Sequence, residues 1–113
     1  MALRLISGQA GHLKTATTPS RMVHYVYILR CNDDSLYVGS AQNLDARVKA
    51  HNDGRGAAHT SKHRPVHLVH FEGFRSESEA VTRERQLKRW SRGKKEAMIA
   101  GDRDRLKRLS KHH

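Results

Sequence analysis

The chain has 113 residues, with 22 Lys and Arg against 11 Asp and Glu, a formal net charge of +11. That length accommodates one domain and little beyond it. No apolar run approaches the roughly 20 residues that span a bilayer, and the lone Cys31 excludes an intrachain disulfide. A soluble, cytoplasmic protein is the reading that fits. The charge is unevenly spread, since residues 83–111 hold twelve basic and four acidic side chains, a local +8. Such density points to a polyanionic partner.

Residues 1–21, rich in Gly, Ala, Ser and Thr and without a sustained period, read as a flexible leader. A domain spanning 22–110 follows, with 111–113 as a tail. His24-Tyr25-Val26-Tyr27-Ile28-Leu29 is β-branched and aromatic, and Leu36-Tyr37-Val38-Gly39 resumes after an Asn/Asp turn, which predicts a β-hairpin. Side chains alternate along strands, so Tyr27 and Tyr37 share a face only with an odd-length loop. The three residues Asn32-Asp33-Asp34 meet that condition, with Asp34 in the left-handed conformation that Asp tolerates.

From about Asn43 to Asn52, Leu44, Arg47, Val48 and His51 recur at helical spacing. Residues Arg55–Arg64 read as a basic loop. Val66–Phe71 is a third strand with Pro65 at its edge. Ser76 with Glu79 is a capping box opening a helix to about Trp90. Arg92–Ala100 is a shorter helix stopped by Gly101, and Asp102 caps a last one that turns Leu106 and Leu109 inward. The expected class is α+β, a small antiparallel three-stranded sheet in ββαβααα order, flanked by helices.

Glu84 shares one helical stripe with Ala80 and Leu87, so a carboxylate occupies a core-facing position. A buried charge needs a cation or strong hydrogen bonds. Mg²⁺, which takes one or two carboxylates and keeps several waters, is the preferred partner. The plainer alternative is a pair with Lys88 at i+4. Arg47 and His51, four apart, project together at the rim of the core, and the planar donor fork of Arg suits a phosphate. His59 and His63, like His67 and His70, have tolerable metal spacing but no accompanying cysteine in sequence. His67 and His70 should also lie on opposite strand faces, so zinc is set aside.

Tyr25-Val26-Tyr27 and Tyr37-Val38-Gly39, with Arg47, His51 and Glu84 following in order, resemble the motifs of the GIY-YIG nucleases. The similarity is closest to the small, single-domain bacterial branch, whose Ala-x-x-x-Glu-x-x-Leu-Lys pattern matches Ala80, Glu84, Leu87 and Lys88. The resemblance covers about Val23 to Leu109. It implies a metal-dependent endonuclease cutting DNA, with a role in repair or recombination or on structured substrates. Tyr27 or Tyr37 would then orient or deprotonate water, assisted by His51. Glu84 would hold Mg²⁺ or Mn²⁺, Arg47 would steady the phosphate, and Gly39 would serve structure. A tyrosine base needs its pKa lowered from about 10 by Arg47 or the metal. Lys88, Arg89, Arg92, Lys94 and Lys95 are expected to contact nucleic acid without reading sequence. Trp90 is expected in the core. This chain departs from the family in Ser40 for Thr, in His59 for Tyr, and in lacking any Asn beyond Asn52, whose role would pass to Arg92 or Lys94. Without turnover, the same features describe a basic DNA- or RNA-binding module.

Overall fold

The computed structural model describes residues 4–5 and 23–110. In chain order the elements are β1 (Arg4–Leu5), β2 (His24–Arg30), β3 (Leu36–Ala41), α1 (Leu44–Asn52), α2 (Ala58–Lys62), β4 (His67–Phe74), α3 (Glu77–Arg89), α4 (Arg92–Ala100) and α5 (Arg103–Ser110). The expected leader and tail otherwise lie outside the described residues, and β1 is a short strand of which composition gives no sign. The α+β class and the three antiparallel long strands are as expected. Their order in the sheet is β1-β4-β2-β3, so β2 is central and β3 lies at an edge.

The hairpin closes as its loop length requires. Cys31 N–H donates to the Ser35 carbonyl and Asp34 N–H to the Cys31 carbonyl, leaving Asn32-Asp33-Asp34 as the loop, with Asp34 at φ 71°. Tyr27 pairs with Gly39 and Leu29 with Tyr37. Two residues apart along the ladder, the two tyrosines therefore share a face. The caps follow the local chemistry. Asn43, Ser76 and Ser91 side chains accept from Ala46, Glu79 and Lys94 N–H, and Gly101 ends α4 at φ 73°.

Three features depart from the expectation. The loop over Arg55–Arg64 contains the five-residue helix α2, too short to show a period. The strand after Pro65 runs on to Phe74 because Glu72 and Gly73 continue the ladder with Val26 and Tyr25. A bulge also lies in β4, where Ile28 pairs with His70 but Leu29 with Leu68. The extra residue, Val69, reverses the alternation, so His67 and His70 share a face instead of opposing each other.

Helices cover both faces of the sheet. On one, Tyr27, Leu29, Cys31, Ala41, Leu44, Val66 and Phe71 form a core beneath α1 and α2. On the other, Val26, Ile28, Val38, Phe74, Ala80, Leu87 and Met98 pack under α3 and α4, with Trp90 and Leu106 half-buried against them. Among the described residues, no helix is long and apolar enough to cross a membrane.

Candidate active site

The site starts from a glycine. Any Cβ at Gly39 would lie 2.5 Å from the Tyr27 hydroxyl and 2.7 Å from its Cζ. The Tyr27 ring therefore lies across the edge strand, and only glycine admits it. Its hydroxyl ends 2.9 Å from His51 Nε2, and His51 Nδ1 is 2.7 Å from Thr60 Oγ1. Thr60 spends its own hydrogen on the Ala57 carbonyl. It must then accept from His51 Nδ1–H, which leaves Nε2 as the acceptor for the Tyr27 hydroxyl. Burial, then the nearby Arg47 charge, lowers the His51 pKa and keeps the ring neutral, in agreement with that assignment.

The supporting groups come from short-range geometry. Asn52 grips the start of β4 with its amide, donating to the Val66 carbonyl and accepting from Val66 N–H at 2.7 Å. This fixes the end of α1 that carries His51. Gly56 passes so close that a Cβ there would collide with the His51 ring. Tyr37, half-buried, completes the group. Its ring centroid is 5.1 Å from that of His51 and 6.4 Å from that of Tyr27.

Burial, then the Tyr37 phenol, pushes the Tyr27 pKa up to about 12, with Arg47 pulling less strongly the other way. A tyrosine base would need a lowered value, a condition Tyr27 does not meet here, because loss of water around the phenolate outweighs one exposed guanidinium.

Arg47 sits at the exposed rim, its Nη1 3.5 Å from the Ser40 carbonyl. Glu84 approaches from the other side of β3. Ser40 faces away from Tyr37 and Gly39, and its hydroxyl donates to Glu84 Oε1 at 2.8 Å, while Lys88 Nζ lies 2.9 Å from Oε2. The five residues thus gather around one edge strand, with the carboxylate joined through Ser40. The Lys88 pair at i+4 is present alongside this contact. Glu84 and Ser40 offer hard oxygen donors, and Lys88 is half exposed, so the set fits a Mg²⁺-type ion.

Among the expected nucleic-acid contacts, Arg89 is exposed on α3. Lys94 covers the Trp90 ring at 4.2 Å. Arg92 pairs with Asp34 and Glu96. Lys95 is half-buried, and desolvation lowers its pKa.

Residues 23–97 match the GIY-YIG catalytic domain. The chain belongs to the GIY-YIG family. Its GIY-YIG region is 49% identical over 76 residues to a UPF0213 protein of Staphylococcus aureus, covering 67% of this chain and 93% of that one. A UPF0213 protein of Staphylococcus haemolyticus is 51% identical over the same spans. The solution NMR structure of a UPF0213 protein from Bacillus halodurans is 42% identical, covers 70% of this chain and 84% of that one, and has a TM-score of 0.47.

Sequence reasoning alone missed Thr60, Gly56 and Asn52 as parts of this GIY-YIG site, and it named Ser40 only as a departure from the family's Thr. Thr60 adjoins His59, a position compared with the family, and that adjacency was the signal.

Proposed function

We propose that this chain is a metal-dependent endonuclease that hydrolyses phosphodiester bonds in DNA, acting in the cytoplasm on structured or damaged substrates. The observation that carries this reading is the neutral His51 held between Tyr27 and Thr60 beside the accessible phenol of Tyr37. Tyr27 is fully buried, so Tyr37 is the phenol that meets water. Tyr37 orients the attacking water; as the water oxygen bonds to phosphorus and the ester oxygen leaves, the water's proton passes to His51 Nε2, which gives up its bond from the Tyr27 hydroxyl to receive it and then returns it to the departing oxygen. Tyr27 acts through His51, as a positioning residue. Arg47 steadies the phosphate with its donor fork. Glu84, beside Ser40, would hold a divalent ion, Mg²⁺ or Mn²⁺, which would supply positive charge against the charge that develops on the phosphate. Lys88, Arg89, Lys94 and Lys95 contribute a basic surface for the backbone.

A basic module that binds DNA or RNA without cutting is the second reading, favoured by the lack of any Asn beyond Asn52 and the engagement of Arg92 in ion pairs. Incubating plasmid and forked DNA with Mg²⁺, wild type beside Glu84→Ala, separates the two. The expected result is cleavage by wild type and its loss in the variant. Equal cutting by both would mean contamination, and binding without cutting by wild type would establish the second reading.

A further inference from the structure

Away from the site, the tip of the hairpin meets α2. Cys31 Sγ, an Asp33 carboxylate oxygen and a His59 ring nitrogen lie within 4.8 Å of one another, a grouping found nowhere else among the described residues. His63 stands beside them, its ring centroid 4.7 Å from that of His59 and its Nδ1 3.4 Å from Asp33 Oδ2. The His59 and His63 pair has helical i, i+4 spacing and was set aside for want of a cysteine. The fold supplies one from 28 positions earlier in the chain.

We infer that Cys31, Asp33, His59 and His63 form a binding site for a borderline-soft divalent cation of the Zn²⁺ type. One thiolate, two imidazoles and one carboxylate make up the donor set that a tetrahedral Zn²⁺ takes, at about 2.3 Å to sulfur and 2.0–2.1 Å to nitrogen and oxygen. Ligand atoms in such a tetrahedron are separated by roughly 3.3–3.6 Å, so side-chain rotations drawing Cys31, Asp33 and His59 together by about 1 Å, with His63 entering from beside Asp33, complete it. The Ser35 hydroxyl already holds two of the four together. It donates to Asp33 Oδ1 and lies 2.7 Å from His59 Nε2.

The donor types divide the two cations between two places. Sulfur and nitrogen ligands disfavour Mg²⁺, which suits the oxygen-only set at Glu84 and Ser40. The consequence is mechanical. Cys31 closes the hairpin loop that holds Asp33, His59 and His63 belong to α2 and its C-cap, and Thr60, next to His59, orients His51. A cation here clips α2 to the hairpin and fixes the second partner of the His51 ring. The assignment does not depend on nuclease activity.

Titration of the full chain with Co²⁺ tests it. The expected result is one ion bound, with a near-ultraviolet thiolate charge-transfer band that Zn²⁺ abolishes by displacement. Cys31→Ser should remove the band. Because Cys31 is buried and its replacement could disturb the fold, His59→Ala at an exposed position is the second variant. It should weaken Zn²⁺ binding at least tenfold, measured by competition with a chromophoric chelator, with an unchanged circular dichroism spectrum. Co²⁺ binding without a thiolate band, or Zn²⁺ affinity unaltered by His59→Ala, overturns the assignment. The first outcome would place the ion on histidines elsewhere in the chain.

Discussion

Beneath α1, Tyr27, His51 and Thr60 are buried and joined by neutral hydrogen bonds. Beneath α3, Glu72 and His70 are equally buried, but Glu72 is a charged carboxylate gripped by Arg83 Nε at 2.8 Å and by His70 Nε2 at 2.9 Å. Burial would raise the Glu72 pKa, yet the hydrogen bonds from His70 and Arg83 outweigh it and hold the carboxyl below its usual range. The two clusters bury polar groups for different ends. A neutral imidazole can take a proton and return it. A carboxylate saturated by a guanidinium and an imidazole cannot change state near neutral pH, so it serves only to tie β4 to the helix that carries Glu84. In the proposed reaction the first cluster moves protons and the second holds the frame.

The sharpest way to break this contrast is to compare rate with stability in both clusters. Tyr37→Phe and His51→Gln should each lower the cleavage rate by about 10²–10⁴-fold, the usual contribution of positioned acid–base groups. Urea unfolding should show them changed far less than the rate is. Glu72→Ala should do the reverse. It strands the Arg83 guanidinium without its buried partner and should cost about 3–5 kcal/mol of stability, while the cleavage rate per folded molecule stays within a few-fold of wild type. If Glu72→Ala removes activity in fully folded protein, or His51→Gln unfolds the chain, the division of labour is wrong.

A smaller effect sharpens the same point through pH. In the unfolded chain His51 takes up a proton near the ordinary histidine value of 6.5, whereas in the fold its pKa is lower because of burial and Arg47. Between those two values the unfolded state binds more protons, so stability falls as pH falls through that window. The slope from this one residue cannot exceed about 1.4 kcal/mol per pH unit. Urea midpoints at pH 7 and pH 5 should diverge more for wild type than for His51→Gln, the remaining histidines contributing alike to both. Parallel pH profiles would mean that His51 is not held neutral.

What could be read from the chain and what could not divides along the same lines. Tyr27, Tyr37 and Gly39 were legible because strand alternation is strict and the loop length fixes the register. Arg47 and His51 were legible because four residues is one helical turn. Glu84 stood out as a carboxylate on an apolar stripe. By contrast, Glu72 lies beyond a bulge at Val69 that shifts every later residue of β4 to the other face, and Leu68-Val69-His70 contains nothing that marks it. Thr60 lies in a five-residue helix. The closeness of Cys31 to His59 depends on packing two elements that no local pattern connects. Periodicity reports which way a side chain points within its element, whereas these groups needed knowledge of what stands opposite.

Lys88 gives the smallest effect and the finest distinction between pairing and phosphate contact. Its ammonium is half exposed and pairs with Glu84 at i+4, a contact worth about 0.3–0.5 kcal/mol. Lys88→Ala should therefore leave thermal stability almost unchanged. Two further readouts separate its possible duties. If Lys88 mainly neutralises Glu84, its removal frees Oε2, and the Mg²⁺ concentration needed for half-maximal cleavage should fall about twofold, the equivalent of that pairing energy. If Lys88 instead turns to a DNA phosphate when substrate binds, the slope of log affinity against log salt should flatten by about one. The change in salt slope is the one expected, because a lysine that swings from Glu84 to the backbone leaves Oε2 free in the substrate complex with or without Lys88. Neither shift would leave Lys88 a solvated side chain and remove it from the site.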